Sequence, residues 1–268
     1  MIGQTKIKER LGELMFMGLF PRFSIFVGDT GSGRRTLIHE DLTPLGCIQE
    51  RAISAESVRE VIEEAYSVMT PTIYLFANAD AMSLAAENAL LKVTEEPPND
   101  VYFVLTVNNP EHVLATIKSR ATLFHMDAYN EDELLRYYRR VTIGSDDEII
   151  KKYCTVPGDI DLICKYNPKN FQKYVETVVA NIEKVSGANS FKIGSKINLG
   201  SDDKLYSLEL FFKAFRAECL SRIADDPLKF AHGINITSKY LGQLQSIASI
   251  NLQMLFDNWL LDVRKAWM

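Results

Sequence analysis

At 268 residues the chain has room for one large domain or for two to three small ones. Apolar residues make up 47% of it, with 14 Phe and 11 Tyr among them, enough for a sizeable core. The net charge of −5 excludes the broad basic field that tight nucleic-acid binding by this chain alone would need, so any DNA contact has to be local or shared with partners.

Cys47, Cys154, Cys164 and Cys219 form no CxxC pair and read as buried apolar thiols in a reducing cytosol. His39, His112, His125 and His232 show no metal-ligand spacing with one another or with the cysteines, so no metal is expected. The opening Met-Ile-Gly-Gln-Thr-Lys-Ile-Lys has no signal-peptide pattern, and no uncharged apolar run approaches the ~20 residues that span a bilayer. A cytoplasmic protein with no membrane partner is expected.

Residues 5–17 place Ile7, Leu11, Leu14 and Met15 on one helical stripe, which Gly18 and Pro21 end. The apolar run Phe23–Val27 is a strand, followed by a glycine-rich turn and a helix from about Arg34 that Pro44 and Gly46 keep short. Ile48–Ile53 is a second strand. Ser54 caps a helix with the stripe Val58, Val61, Ile62 and Ala65. Thr72–Ala77 is nearly continuous in apolar residues, as a central parallel strand is. Ser83 opens a helix through Ala86, Leu90, Leu91 and Val93, and Glu95-Glu96-Pro97-Pro98 stops it. Val101–Val107 and Ala121–Met126 are further strands. Strands alternating with helices predict a doubly wound parallel sheet.

Beyond Met126 the pattern is helical. Asn130-Glu131-Asp132-Glu133 and Ser145-Asp146-Asp147-Glu148 read as capping boxes. Pro157-Gly158-Asp159 breaks two helices, and another covers about 168–185. Residues 186–203, rich in Gly, Ser and Asn, read as a loop or linker. Two long helical patterns follow, about 204–224 and 238–266. Phe211, Phe212, Phe215, Trp259 and Trp267 fall at helical spacings, as core or subunit-interface residues do.

The strand–turn–helix at Val27–Leu37 is the context of a phosphate-binding loop, whose pattern is G-x-x-x-x-G-K-[ST]. Gly28 and Gly33 stand at the glycine positions, with Asp29, Thr30, Gly31 and Ser32 between them. Arg34 holds the lysine position and Arg35 the position of the Mg²⁺-binding hydroxyl; Thr36 comes one residue late, about 100° further round the helix. Backbone N–H groups at a helix start still favour an anion. Arginine for lysine is not conservative there, however, and Arg35 cannot hold Mg²⁺. Three readings stay open: a turn that only joins strand to helix, ATP/ADP or phosphate held without turnover, and hydrolysis. No cofactor is required.

Two segments carry a family resemblance. Asp80-Ala81-Met82, followed by Ala85-Ala86-Glu87-Asn88-Ala89-Leu90-Leu91-Lys92-Val93-Thr94-Glu95-Glu96-Pro97-Pro98, resembles the signature A-D-x-M-…-A-A-N-A-L-L-K-x-L-E-E-P-P of bacterial DNA polymerase III clamp-loader subunits, with Glu87 and Thr94 as departures. Thr116-Ile117-Lys118-Ser119-Arg120-Ala121 resembles that family's T-I-x-S-R-C motif, and Ile53–Ala65 its I-x-x-x-x-I-R-x-x-x-E-x-A helix.

The resemblance implies an AAA+ fold: an α/β domain of the RecA-like kind at 1–127, a helical lid at 128–167, and a helical collar for oligomerisation at 168–268. The altered loop points to the delta-prime type. By the same likeness Ala77 and Asn78 stand where Walker B acids would be, and Asp80 matches the signature's own Asp rather than the metal acid. Asp159 stands where a γ-phosphate-sensing Arg would be, and the Cys₄ zinc module has no counterpart. Arg120 would be an arginine finger acting in trans, with Ser119 and Lys118 helping to place it. The alternative is a surface arginine that caps helix carbonyls. Glu95 and Glu96 would be solvated or paired, and Lys92 would face DNA phosphate. The implied partners are ATPase and clamp-opening subunits, with the sliding clamp and primed DNA reached through the complex. A weakly active ATPase subunit and an AAA+-derived interaction protein outside the loader are the rival readings.

Overall fold

Five strands form one parallel sheet in the order β2-β3-β4-β1-β5: β1 Phe23–Val27, β2 Cys47–Arg51, β3 Thr72–Phe76, β4 Val101–Val107 and β5 Thr122–His125. The computed structural model describes residues 2–184, 204–246 and 251–268, which fall into two compact units, Met1–Tyr129 and Asn130–Met268. The expected linker at 186–203 lies outside the described residues.

The strand sequences explain the strand order. β1 and β3 are buried at every residue and β4 at nearly every one, so they occupy the middle of the sheet. Cys-Ile-Gln-Glu-Arg of β2 and Thr-Leu-Phe-His of β5 are partly exposed and take the two edges. Alternate residues feed opposite faces. Ile25, Tyr74, Phe76, Phe103 and Leu105 join Val58 and Val61 of α3 (Ala55–Ala65), Leu90 and Val93 of α4 (Leu84–Glu95), and Ile117 of α5 (Ala115–Lys118). Phe26, Ile73, Leu75, Val104 and Phe124 join Ile7 and Leu11 of α1 (Thr5–Phe16) and Leu37 and Ile38 of α2 (Arg34–Asp41). Ser54 and Ser83 cap α3 and α4 as expected, accepting from the N–H groups of Ser57 and Ala86. Parallel strands bring the turns after β1, β3 and β4 together at one end of the sheet, where ligands of open α/β sheets bind.

The second unit is helical: α6 Glu131–Val141, α7 Asp147–Tyr153, α8 Pro157–Tyr166, α9 Pro168–Asn181, α10 Lys204–Ser221, α11 Pro227–Ser246 and α12 Leu252–Trp267. Asn130 and Glu133 form the expected capping box. The second expected box is not made: Asp146 precedes α7 without a side-chain cap, and its backbone N–H donates instead to the Tyr138 hydroxyl at 3.3 Å. The pattern expected over 238–266 is two helices. Asp226 accepts from the N–H of Lys229 to open α11 at Pro227, and Asn251 accepts from that of Met254 to open α12. Trp259 is fully buried among Phe211, Phe212, Phe215 and Phe256, and donates its indole N–H to Thr237 at 2.9 Å. The aromatics at helical spacing are therefore core. Cys154 and Cys219 are buried as expected; Cys47, at the edge strand β2, is exposed. No described helix is long and apolar enough to cross a membrane.

Candidate functional site

The loop after β1 is built by its glycines. Gly28 donates its N–H to the carbonyl of Val107, and a Cβ there would lie 2.7 Å from Met126 Cγ and 3.0 Å from Ser32 Oγ, so no larger residue fits. Gly33 turns the chain into α2 with φ of 87°, a left-handed conformation. Asp29 closes the turn by accepting the N–H of Ser32 at 3.0 Å, and Tyr129 donates its hydroxyl to the Ser32 carbonyl at 2.7 Å. Gly31 is also left-handed, with φ of 82°.

The side chains on this frame are engaged within the chain. Arg34 is 6% exposed, and its Nη2 donates to Asn108 Oδ1 at 2.6 Å. Thr30 donates its hydroxyl to the same oxygen at 3.2 Å, while the backbone N–H of Asn108 donates to Asp80 Oδ2 at 3.1 Å. Asn108 follows β4 directly, so the turns after β1, β3 and β4 are joined through its two ends. Arg35 is exposed and donates to both carboxylate oxygens of Glu50 of β2, and Oε1 of that glutamate also meets His39 Nε2 at 2.7 Å. Burial works against the Glu50 charge, but the hydrogen bonds from His39 and Arg35 outweigh it and hold the carboxyl below its ordinary range. Thr36 is exposed on α2.

The positions that would serve a metal and its water do not fit that task. Asn78 takes a left-handed conformation with φ of 55° and donates its N–H to Thr106 Oγ1 at 3.0 Å. Ala77 has no ligating group, and Asp80 is committed to Asn108. Asp159 is fully buried at the start of α8. Its carboxylate accepts the N–H groups of Thr155 and Val156 and the hydroxyls of Thr155 and Tyr206, the last at 2.8 Å. It serves as a helix cap and interior anchor. Among the described residues no three or more His, Cys, Asp or Glu gather as metal ligands would.

Arg120 follows α5 at the surface. Its Nη1 donates to the carbonyl of Thr116 at 2.7 Å and its Nη2 to Glu95 Oε1, with 32% of the arginine side chain exposed. Ser119 donates its hydroxyl to the same Thr116 carbonyl at 3.0 Å, and Lys118 pairs with Glu111 at 3.1 Å.

Comparison with known proteins finds similarities that centre on this unit. Residues 24–130 match the family described as DNA polymerase III, delta subunit. Over 104 residues the chain is 31% identical to the delta-prime subunit of DNA polymerase III from Escherichia coli K12, covering 38% of this chain and 31% of that protein. Over 78 residues it is 36% identical to the delta-prime subunit from Yersinia pestis, covering 28% and 23%. Over residues 24–130 the chain is thus similar to DNA polymerase III clamp-loader subunits.

The matched stretch spans about a third or less of those relatives' length. A DNA polymerase III gamma-subunit-related protein from Thermotoga maritima superposes with a TM-score of 0.52 at 14% identity, covering 96% of this chain and 99% of that one. A RuvB variant from Thermotoga maritima gives 0.54 at 17% identity, covering 96% and 85%. These likenesses show the fold, which is of the AAA+ type.

Residues Gly28–Gly33 form the turn between β1 and α2 and Arg34 opens α2, whereas Arg35 is paired with Glu50 and Thr36 is exposed on α2. Asn108 was not foreseen. Its signal is its place immediately after a buried central strand, on the same sheet end as the glycine loop. Glu87, visible in the sequence only as a departure from the family signature, is 6% exposed and accepts the N–H of Leu114 at 3.1 Å.

Proposed function

We propose that this chain is a delta-prime-like clamp-loader subunit that hydrolyses no ATP itself. In this reading it assembles with ATPase subunits through a collar at 168–268, with a lid at 128–167. It supplies Arg120 to a neighbour's site, and helps load the sliding clamp onto primed DNA. The observation that carries the reading is the engagement of both loop arginines inside the chain. Arg34 is bound to Asn108 and Arg35 to Glu50, so neither stands ready to neutralise a transferring phosphate. Arg120 is also paired, with Glu95 and the Thr116 carbonyl, but it lies at the surface just beyond a short helix outside the loop, where a neighbouring subunit can meet it. Lys92 is exposed on α4 and is available to a DNA phosphate in the assembled complex. Purified chain without partners, incubated with ATP and Mg²⁺, should release no phosphate above background; steady turnover would refute the reading.

One observation favours a milder second reading, in which an anion is held without turnover. The Ser32 hydroxyl is buried in the glycine loop and makes no hydrogen bond among the described residues. It is one donor on a backbone frame suited to phosphate oxygens. Equilibrium binding of a fluorescent ADP analogue by the wild-type chain and by Ser32→Ala distinguishes this reading from an empty turn.

A further inference from the structure

α4 extends two carboxylates to the segment that carries Arg120. Glu87, in the first turn of α4, is buried, and its Oε1 accepts the backbone N–H of Leu114, the residue that precedes α5. Glu95, the last residue of α4, accepts from Nη2 of Arg120, which lies just beyond the other end of α5. Between them α5 has four residues, too few to hold a helix by itself, and its Ile117 shares a core cluster with Leu90 and Val93 of α4.

A carboxylate at position 87 is costly to bury. Burial pushes its carboxyl above the ordinary range, and the Leu114 N–H offsets only part of that. An alanine would avoid the cost. What the carboxylate adds is an acceptor for the N–H at the start of α5. At the other end, Glu95 and the Thr116 carbonyl use two of the five guanidinium donors and so choose one arrangement of a long, flexible side chain. The pair is solvent-accessible, with side chains 32% and 54% exposed, so it orients without locking; such pairs shift an equilibrium by about five-fold at most.

We propose that Glu87 and Glu95 are positioning residues, which fix the Leu114–Arg120 segment to α4 and so hold the Arg120 guanidinium at a set place on the surface. The inference rests on Arg120 acting in a neighbouring site, and it makes α4 the element whose position sets that of the arginine.

Two measurements test it. The first is hydrogen exchange on the full chain without partners. Glu87→Ala should speed exchange of the Leu114–Arg120 amides by about ten-fold or more, while Glu87→Gln, which keeps an acceptor for Leu114, should change it by less than about two-fold. Unchanged exchange in Glu87→Ala overturns the role of Glu87. The second uses the complex with its ATPase subunits. Glu95→Ala should lower the kcat of stimulated hydrolysis by about three- to five-fold at unchanged KM, and should have no effect in the Arg120→Ala background. An unchanged or raised kcat, or an equal fall in that background, overturns the role of Glu95. If Arg120→Ala alone leaves hydrolysis unchanged, the finger reading fails and takes the Glu95 test with it; hydrogen exchange still decides whether Glu87 fixes the segment to α4.

Discussion

The guanidinium of Arg34 is bonded to the side chain of Asn108 at 2.6 Å, across the ends of two neighbouring strands. The cation at the lysine position of the loop thereby donates to an uncharged amide within its own chain. Thr30 donates to the same oxygen, and Asp80 holds the Asn108 backbone. A hydrogen-bond network through Asn108 links the turns after β1, β3 and β4 at the carboxyl end of the sheet.

Restoring the loop alone should not restore an enzyme. In an Arg34→Lys/Arg35→Thr double variant the phosphate-binding pattern is complete, but Ala77 and Asn78 still offer no metal acid and no base. The expected outcome is tighter binding of a fluorescent ATP analogue with phosphate release at background. Measurable turnover would show that the missing acids are not what disables the site.

Asp159 should behave as a structural residue. Asp159→Ala leaves four donors without their acceptor, two of them backbone N–H groups, and should cost about 3 kcal/mol or more in urea unfolding. Asp159→Arg, which recreates the residue type of a phosphate sensor, should destabilise further because the charge would enter a fully buried position. A stable Asp159→Arg chain would contradict the anchor role.

Two glutamates should give stability profiles of opposite sign. For Glu218, burial raises the pKa, but hydrogen bonds from Lys152, Tyr153 and Arg222 outweigh it and the folded value is lowered. Its contribution is present above the unfolded value of about 4.3 and is lost as pH falls through the folded value. Glu218→Gln should therefore lower the Tm at pH 7 and flatten the acid limb. For Glu87 the folded value is raised by burial, so stability falls as pH rises from about 4.3 through that value. Glu87→Gln should raise the Tm at pH 7 and leave it nearly unchanged at pH 3. Thermal unfolding of both variants across pH 3–8 checks both signs.

The sheet was legible because its central strands are buried on both faces, which makes Phe23–Val27, Thr72–Phe76 and Val101–Val107 continuous apolar runs. The helix start at Pro227 was not. Its cap, Asp226, sits beside another aspartate in a polar stretch, and the helix carries Gly233, whose lack of a side chain admits Trp267. That close approach is a tertiary fact with no local pattern. The loop residues were legible as a motif, but not their engagement. The partners lie on β2 (Glu50) and immediately after β4 (Asn108), which only the fold brings to the loop and α2. Glu87 stood out as a departure, and its role required knowing that Leu114 lies against α4.

The most direct test of the proposed role is Arg120→Ala in the chain mixed with its ATPase subunits, reading clamp- and DNA-stimulated ATP hydrolysis beside co-elution of the complex. The expected result is an intact complex whose hydrolysis falls by about 10³-fold at the site Arg120 faces. An intact complex with unchanged hydrolysis would contradict it.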